Sequence, residues 1–95
     1  MIIYGKELRH RILNYLEESW EINYNPTFSK IYYDFNQVDT IPKYLLIHEI
    51  QSLAKYHNFH FGLDSEGVAR IFKNKQSSIQ IQNSNVAYID KKEIN

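Results

Sequence analysis

An α+β domain is the fold class this sequence predicts: two helices packed on one face of a three-stranded antiparallel sheet, in the order α-β-α-β-β, with a short C-terminal extension. Three observations predict it. Two stretches repeat apolar residues at helical spacing, residues 28–35 alternate with a period of two, and Asp64-Ser65-Glu66-Gly67 divides two runs rich in β-formers.

The first helix is expected from Gly5 to Ile22. Leu8, Ile12, Leu16 and Trp20 recur every fourth residue, Leu13 and Tyr15 widen the stripe, and Arg9, His10, Glu17 and Glu18 take the other side. Asn23 to Thr27, with Pro26, stops it. Phe28 to Phe35 reads as a half-buried strand, with Ile31, Tyr33 and Phe35 on one face and Lys30, Tyr32 and Asp34 on the other. A second helix is expected from Thr40 to His57. Asp39 or Thr40 caps it, Pro42 stands in its first turn, and Leu46, Ile50, Leu53 and Ala54 form its core face. Phe59–Leu63 and Val68–Lys73 then make a hairpin in which His60 alternates outward. This gives one domain over residues 1–78. Residues 79–95 form an extension, in part strand and frayed at its end, whose apolar residues cover a sheet edge or pair with a second copy.

Bulk composition narrows the function classes. Ninety-five residues suit a single domain. An apolar share of 43% argues against disorder, and eight Tyr with five Phe make much of the core aromatic. With no Cys, disulfides, thiolate chemistry and Cys-based zinc sites are excluded. No membrane span and no secretory signal is read, so the expected location is intracellular, in cytoplasm or nucleus. Eleven basic and eleven acidic residues cancel, so any attraction for phosphate must come from a local patch.

One constellation points to a function. Tyr44, His48, Gln51 and Lys55 fall at i, i+4, i+7 and i+11, on the side of the second helix away from Leu46, Ile50 and Leu53. An aromatic ring, an imidazole, an amide and an ammonium on one face suit a nucleotide, although any amphipathic helix has a solvated face. The wider segment carries more. Lys43-Tyr44-Leu45-Leu46-Ile47-His48-Glu49-Ile50, then Leu53-Ala54, then Gly62 through Lys75, resembles the R-three-H domain, named for an Arg-x-x-x-His motif. His48, Ala54, the Ser65–Gly67 turn and Lys73 or Lys75 match that family's run. The resemblance implies two helices on a three-stranded sheet and binding of single-stranded DNA or RNA. The family's Arg would fall at Tyr44. Either Tyr44 stacks where the Arg would grip phosphate, or the scaffold persists without the activity.

The expected mechanism follows. Lys55, Arg70, Lys73 and Lys75 contact phosphates, while Tyr44, His48 and Gln51 stack on or hydrogen-bond bases. No cofactor is implied. His57 and His60, with His48, Asp64 and Glu66, match no metal-ligand signature, so no metal is assigned. His48 and Glu49 are helix neighbours that do not face each other, and nothing marks Ser29, Ser52 or Ser65 as a nucleophile; no catalysis is expected. The rival is a protein-interaction or inhibitor module on the same scaffold, docking a partner through its tyrosines, as a monomer or weak dimer. The element order also allows a winged helix with the hairpin as wing, disfavoured because no helix carries a face dense in Arg and Lys.

Overall fold

The structure, a computed structural model, describes residues 5–73 and 79–80. Helix α1 spans Gly5–Glu21, and Leu8, Ile12 and Leu16 are its fully buried stripe. Trp20, Leu13 and Tyr15 pack against the core from partly buried positions. The helix ends where Asn23 takes a left-handed φ of 60°, which turns the chain so that the Tyr24 N–H reaches the Ser19 carbonyl at 2.9 Å.

Phe28 to Phe35 is a helix, α2, and this corrects the expected strand. Ile31 and Phe35 are four residues apart, a separation that suits a strand face and a helix face equally. Phe28, Ile31 and Phe35 are all buried at i, i+3 and i+7, whereas Tyr33, which alternation would bury with them, is 64% exposed. Thr27 decides the matter locally. Its extended backbone and its side-chain oxygen, which accepts the Lys30 N–H at 3.1 Å, cap the first turn. Tyr32 lies half-buried, its ring stacked on Phe28 at 6.0 Å. Asn36 closes the helix: its amide donates to the Tyr32 and Ile41 carbonyls, and its oxygen accepts the Ile41 N–H.

Helix α3 covers Lys43–His57. It starts at Pro42 rather than at Thr40, and no side chain caps it. Asp39 is engaged elsewhere, its carboxylate paired with Arg11 of α1, and the Pro42 carbonyl accepts the Leu45 and Leu46 N–H groups instead. Leu46, Ile47, Ile50 and Leu53 are buried. Asn58 ends the helix in the left-handed region at φ 61°, a conformation Asn tolerates better than most residues.

Strands β1, His60–Leu63, and β2, Ala69–Phe72, pair antiparallel, with Phe61 opposite Ile71 and Gly62 opposite Arg70. A third strand, β3, Ile79–Gln80, pairs antiparallel with Leu63 and Gly62, giving the order β2-β1-β3. The rest of the expected extension lies outside the described residues. Phe61, Ala69 and Ile71 face the helices, and the Phe61 ring stacks on Phe28 at 6.1 Å. His60 is buried rather than outward; across the ladder it sits opposite Phe72, itself only 4% exposed. The outer edge of β2 is covered by the stretch between α1 and α2. Thr27 bridges to Arg70, and the Ile71 N–H donates to the Pro26 carbonyl at 2.9 Å. The architecture is α+β: three helices followed by an antiparallel hairpin.

Candidate nucleic-acid interface

Because α3 buries Leu46, Ile47, Ile50 and Leu53 against the core, its remaining arc is turned to solvent. Tyr44 is 72% exposed, His48 and Lys55 are exposed, and Gln51 is half-buried. The structure therefore brings these four expected residues together on one open face. Successive helix positions differ by about 100°, so Lys43 falls in the sector of buried Ile47 and Ile50, and Glu49 at the margin of the open face. Both meet a neighbouring helix. The Lys43 ammonium lies 5.9 Å from the centre of the Tyr32 ring on α2, and Arg9 on α1 places Nη1 3.4 Å from a Glu49 oxygen.

Tyr56, 85% exposed beside Lys55, also belongs to this surface. The sequence reading passed over it. Its signal was available: Tyr56 lies outside the Leu46/Ile50/Leu53 stripe, so a large ring there had no core to enter.

Arg70 and Lys73 stand elsewhere. Arg70 alternates with the core residues Ala69 and Ile71, so its side chain leaves β2 on the side away from the helices. There its Nε donates to the Asp64 carboxylate at 3.2 Å and Nη1 donates to the Asn25 carbonyl. The guanidinium thus ties the hairpin turn to the strip beside β2. Lys73 is exposed and borders a groove of about 510 Å³ together with Asn14, Glu17, Glu18, Trp20 and Glu21 of α1. The contacts of Arg70 and Lys73 among the described residues are with Asp64 and Asn25, away from the α3 face. Lys75 lies outside the described residues.

The groups whose proton affinity is shifted belong to structural contacts. Asp64 accepts the Val68 and Glu66 N–H groups through Oδ1 at 2.9 and 2.8 Å, and these bonds, with Arg70, hold its carboxyl below the usual range. Asp34 is likewise held low, chiefly by the Tyr15 hydroxyl donating at 2.6 Å and then by Lys30 at 2.9 Å. Burial, followed by the hydrogen bond to Asp34 and then its charge, pushes the Tyr15 hydroxyl upward. Among the described residues no group of three His, Asp or Glu side chains is placed to hold a metal ion. No helix among them is long and apolar enough to cross a membrane. No protein family, curated protein or solved structure matches the chain.

Proposed function

We propose that this chain is a small module that binds single-stranded nucleic acid through the exposed face of α3. The observation that carries the reading is the joint projection of Tyr44, His48, Gln51 and Lys55 away from a sealed apolar stripe. Tyr44 offers a ring on which a base can stack, His48 a second flat ring or a hydrogen bond, Gln51 an amide for a base edge, and Lys55 a phosphate contact. The run from His48 through the Ser65–Gly67 turn to Lys73, by which the chain resembles the R-three-H domain, supports the same class of ligand.

Charge decides the balance of forces. Arg9, Arg11, Lys30 and Arg70 each have a carboxylate within 3.4 Å, which lowers their pull on a phosphate chain. Stacking is then the larger contribution, at about 1–3 kcal/mol per base. The salt dependence should be shallow, since each phosphate neutralised on a single strand contributes only about −0.7 to the slope.

A second reading is favoured by one observation, the pairing of Thr27 with β2 between α1 and α2. A short strand in that place, three helices and then a hairpin is the order of a winged helix, in which α3 would enter the major groove of a duplex. That mode needs cations flanking the reading helix. Among the described residues, the one such cation on the open face of α3 is Lys55.

Fluorescence anisotropy with labelled single-stranded RNA, single-stranded DNA and duplex DNA, at low and moderate salt, tests the proposal. Single strands should bind at tens of micromolar or tighter, with duplex weaker. Tyr44→Ala and His48→Ala should each weaken binding by at least about fivefold, at the lower end of a stacking contribution, and Glu17→Ala should leave it unchanged. Tighter duplex binding would favour the winged-helix reading. Equal losses in all three variants would move the contact elsewhere. No binding at low salt would leave the tyrosine-bearing face as a protein-docking surface.

A further inference from the structure

A cation on another element stands beside the α3 face. Arg9 projects from the first half of α1 toward the flank of α3, where it meets Glu49, the residue after His48. The pair is loose. Its closest N···O distance is 3.4 Å, longer than a charge-assisted hydrogen bond of about 2.7–2.9 Å. The Arg9 side chain is 46% exposed while that of Glu49 is 13% exposed, so the guanidinium is the partner open to an incoming ligand. Among the described residues the other arginine pairs are closer or have further partners: Arg11 meets Asp39 and also lies 4.9 Å from the Phe35 ring centre, and Arg70 has two acceptors.

We infer that Arg9 is a phosphate-contacting residue of the α3 surface, and that Glu49 is an intramolecular acidic counter-ion that a nucleic-acid phosphate displaces. The inference rests on the nucleic-acid reading of α3 and names the regulation of that site. At 3.4 Å the pair is weak and its guanidinium is open to water, so exchanging the carboxylate for a phosphate oxygen costs the fold little. The forked guanidinium suits a phosphate at least as well as a carboxylate. Glu49 then sets affinity by competing for Arg9 and by repelling the incoming chain, a built-in restraint on binding.

The test compares wild type, Arg9→Gln, Glu49→Gln and the double variant by anisotropy with a labelled single-stranded RNA across a salt series. Glu49→Gln should tighten binding about threefold or more at low salt. Arg9→Gln should weaken it and make the salt slope shallower by about 0.7, the share of one phosphate. In the Arg9→Gln background, Glu49→Gln should gain less than it does in wild type, because one of its two effects has been removed. If wild type binds and the salt slope of Arg9→Gln is unchanged, this inference fails while the α3 site stands. If neither wild type nor Glu49→Gln binds at low salt, the nucleic-acid reading itself fails. Urea unfolding of each variant should match wild type within about 1 kcal/mol, as an exposed pair requires; a larger loss would make the pair structural and overturn the inference.

Discussion

Asp64 organises the hairpin, and removing it should cost far more than a turn carboxylate usually does. One oxygen accepts the Glu66 and Val68 N–H groups and the other accepts from Arg70, while the side chain is only 15% exposed. Asp64→Ala deletes all three bonds and leaves Arg70 with the Asn25 carbonyl. At roughly 1 kcal/mol net for each bond, the loss is about 2–3 kcal/mol. For a domain of this size each kcal/mol moves Tm by about 4–8 °C, so Tm should fall by roughly 10–20 °C. Asp64→Asn keeps a carbonyl oxygen for the two backbone donors and loses only the charge facing Arg70, so about 1 kcal/mol should go. The pH dependence distinguishes these contributions. The Asp64 carboxyl is held below its ordinary value of 3.8, so its stabilisation is complete above that value and is lost as pH falls through the lower folded value. The advantage of wild type over Asp64→Asn should therefore be constant near neutrality and shrink in acid. Urea unfolding followed by circular dichroism from neutral to acid pH measures both effects. Equal losses in the two variants, or losses under about 0.5 kcal/mol in both, a size typical of plain surface substitutions, would refute the reasoning.

Two further predictions concern the helical layer. Phe28 is fully buried between the Tyr32 and Phe61 rings, so Phe28→Ala should cost about 3–5 kcal/mol in urea unfolding. Tyr33→Ala should stay within about 0.5 kcal/mol; a loss near that of Phe28→Ala would restore the strand. Tyr15→Phe removes the hydroxyl that donates to Asp34 between α1 and α2, and should cost about 1–2 kcal/mol at neutral pH. Because burial raises the Tyr15 hydroxyl, its neutral form stabilises the fold below the ordinary tyrosine value and is lost as pH rises through the higher folded value. The cost of Tyr15→Phe should accordingly shrink in strong alkali, and a pH-independent difference would contradict the contact.

The parts of the fold legible in the sequence were those where one periodicity stands alone. Leu8, Ile12 and Leu16 fit a helix, polar His10 and Asn14 between them break the alternation a strand would need, and all three apolar residues are buried. The α3 face was legible for the same reason, since Leu46, Ile50 and Leu53 fix which side is sealed. Residues 28–35 were misread because Ile31 and Phe35 satisfy both periods, and five β-forming or aromatic residues tilt the local preference toward strand. The discriminating residue was Thr27, whose cap is readable only once a helix is suspected. The start of α3 was misplaced because Asp39 finds its partner in Arg11, 28 residues earlier. Arg70 shows the limit of local reading for the site. Its acceptor on Asn25 is 45 residues away, and nothing in the hairpin's own sequence announces that its guanidinium is committed to holding the sheet edge. Lys73 was grouped with α3 by the family resemblance, whereas the fold sets it beside the glutamates of α1.

A heteronuclear NMR titration of the full chain with a short single-stranded RNA tests the central claim most directly, because it reports every backbone amide at once. The account predicts dose-dependent shifts concentrated on residues 43–56, greatest around Tyr44, His48, Gln51 and Lys55, with the Asp64–Arg70 turn little moved. Shifts confined to that turn or to Glu17–Glu21, or no shift at the highest soluble RNA concentration, would contradict it.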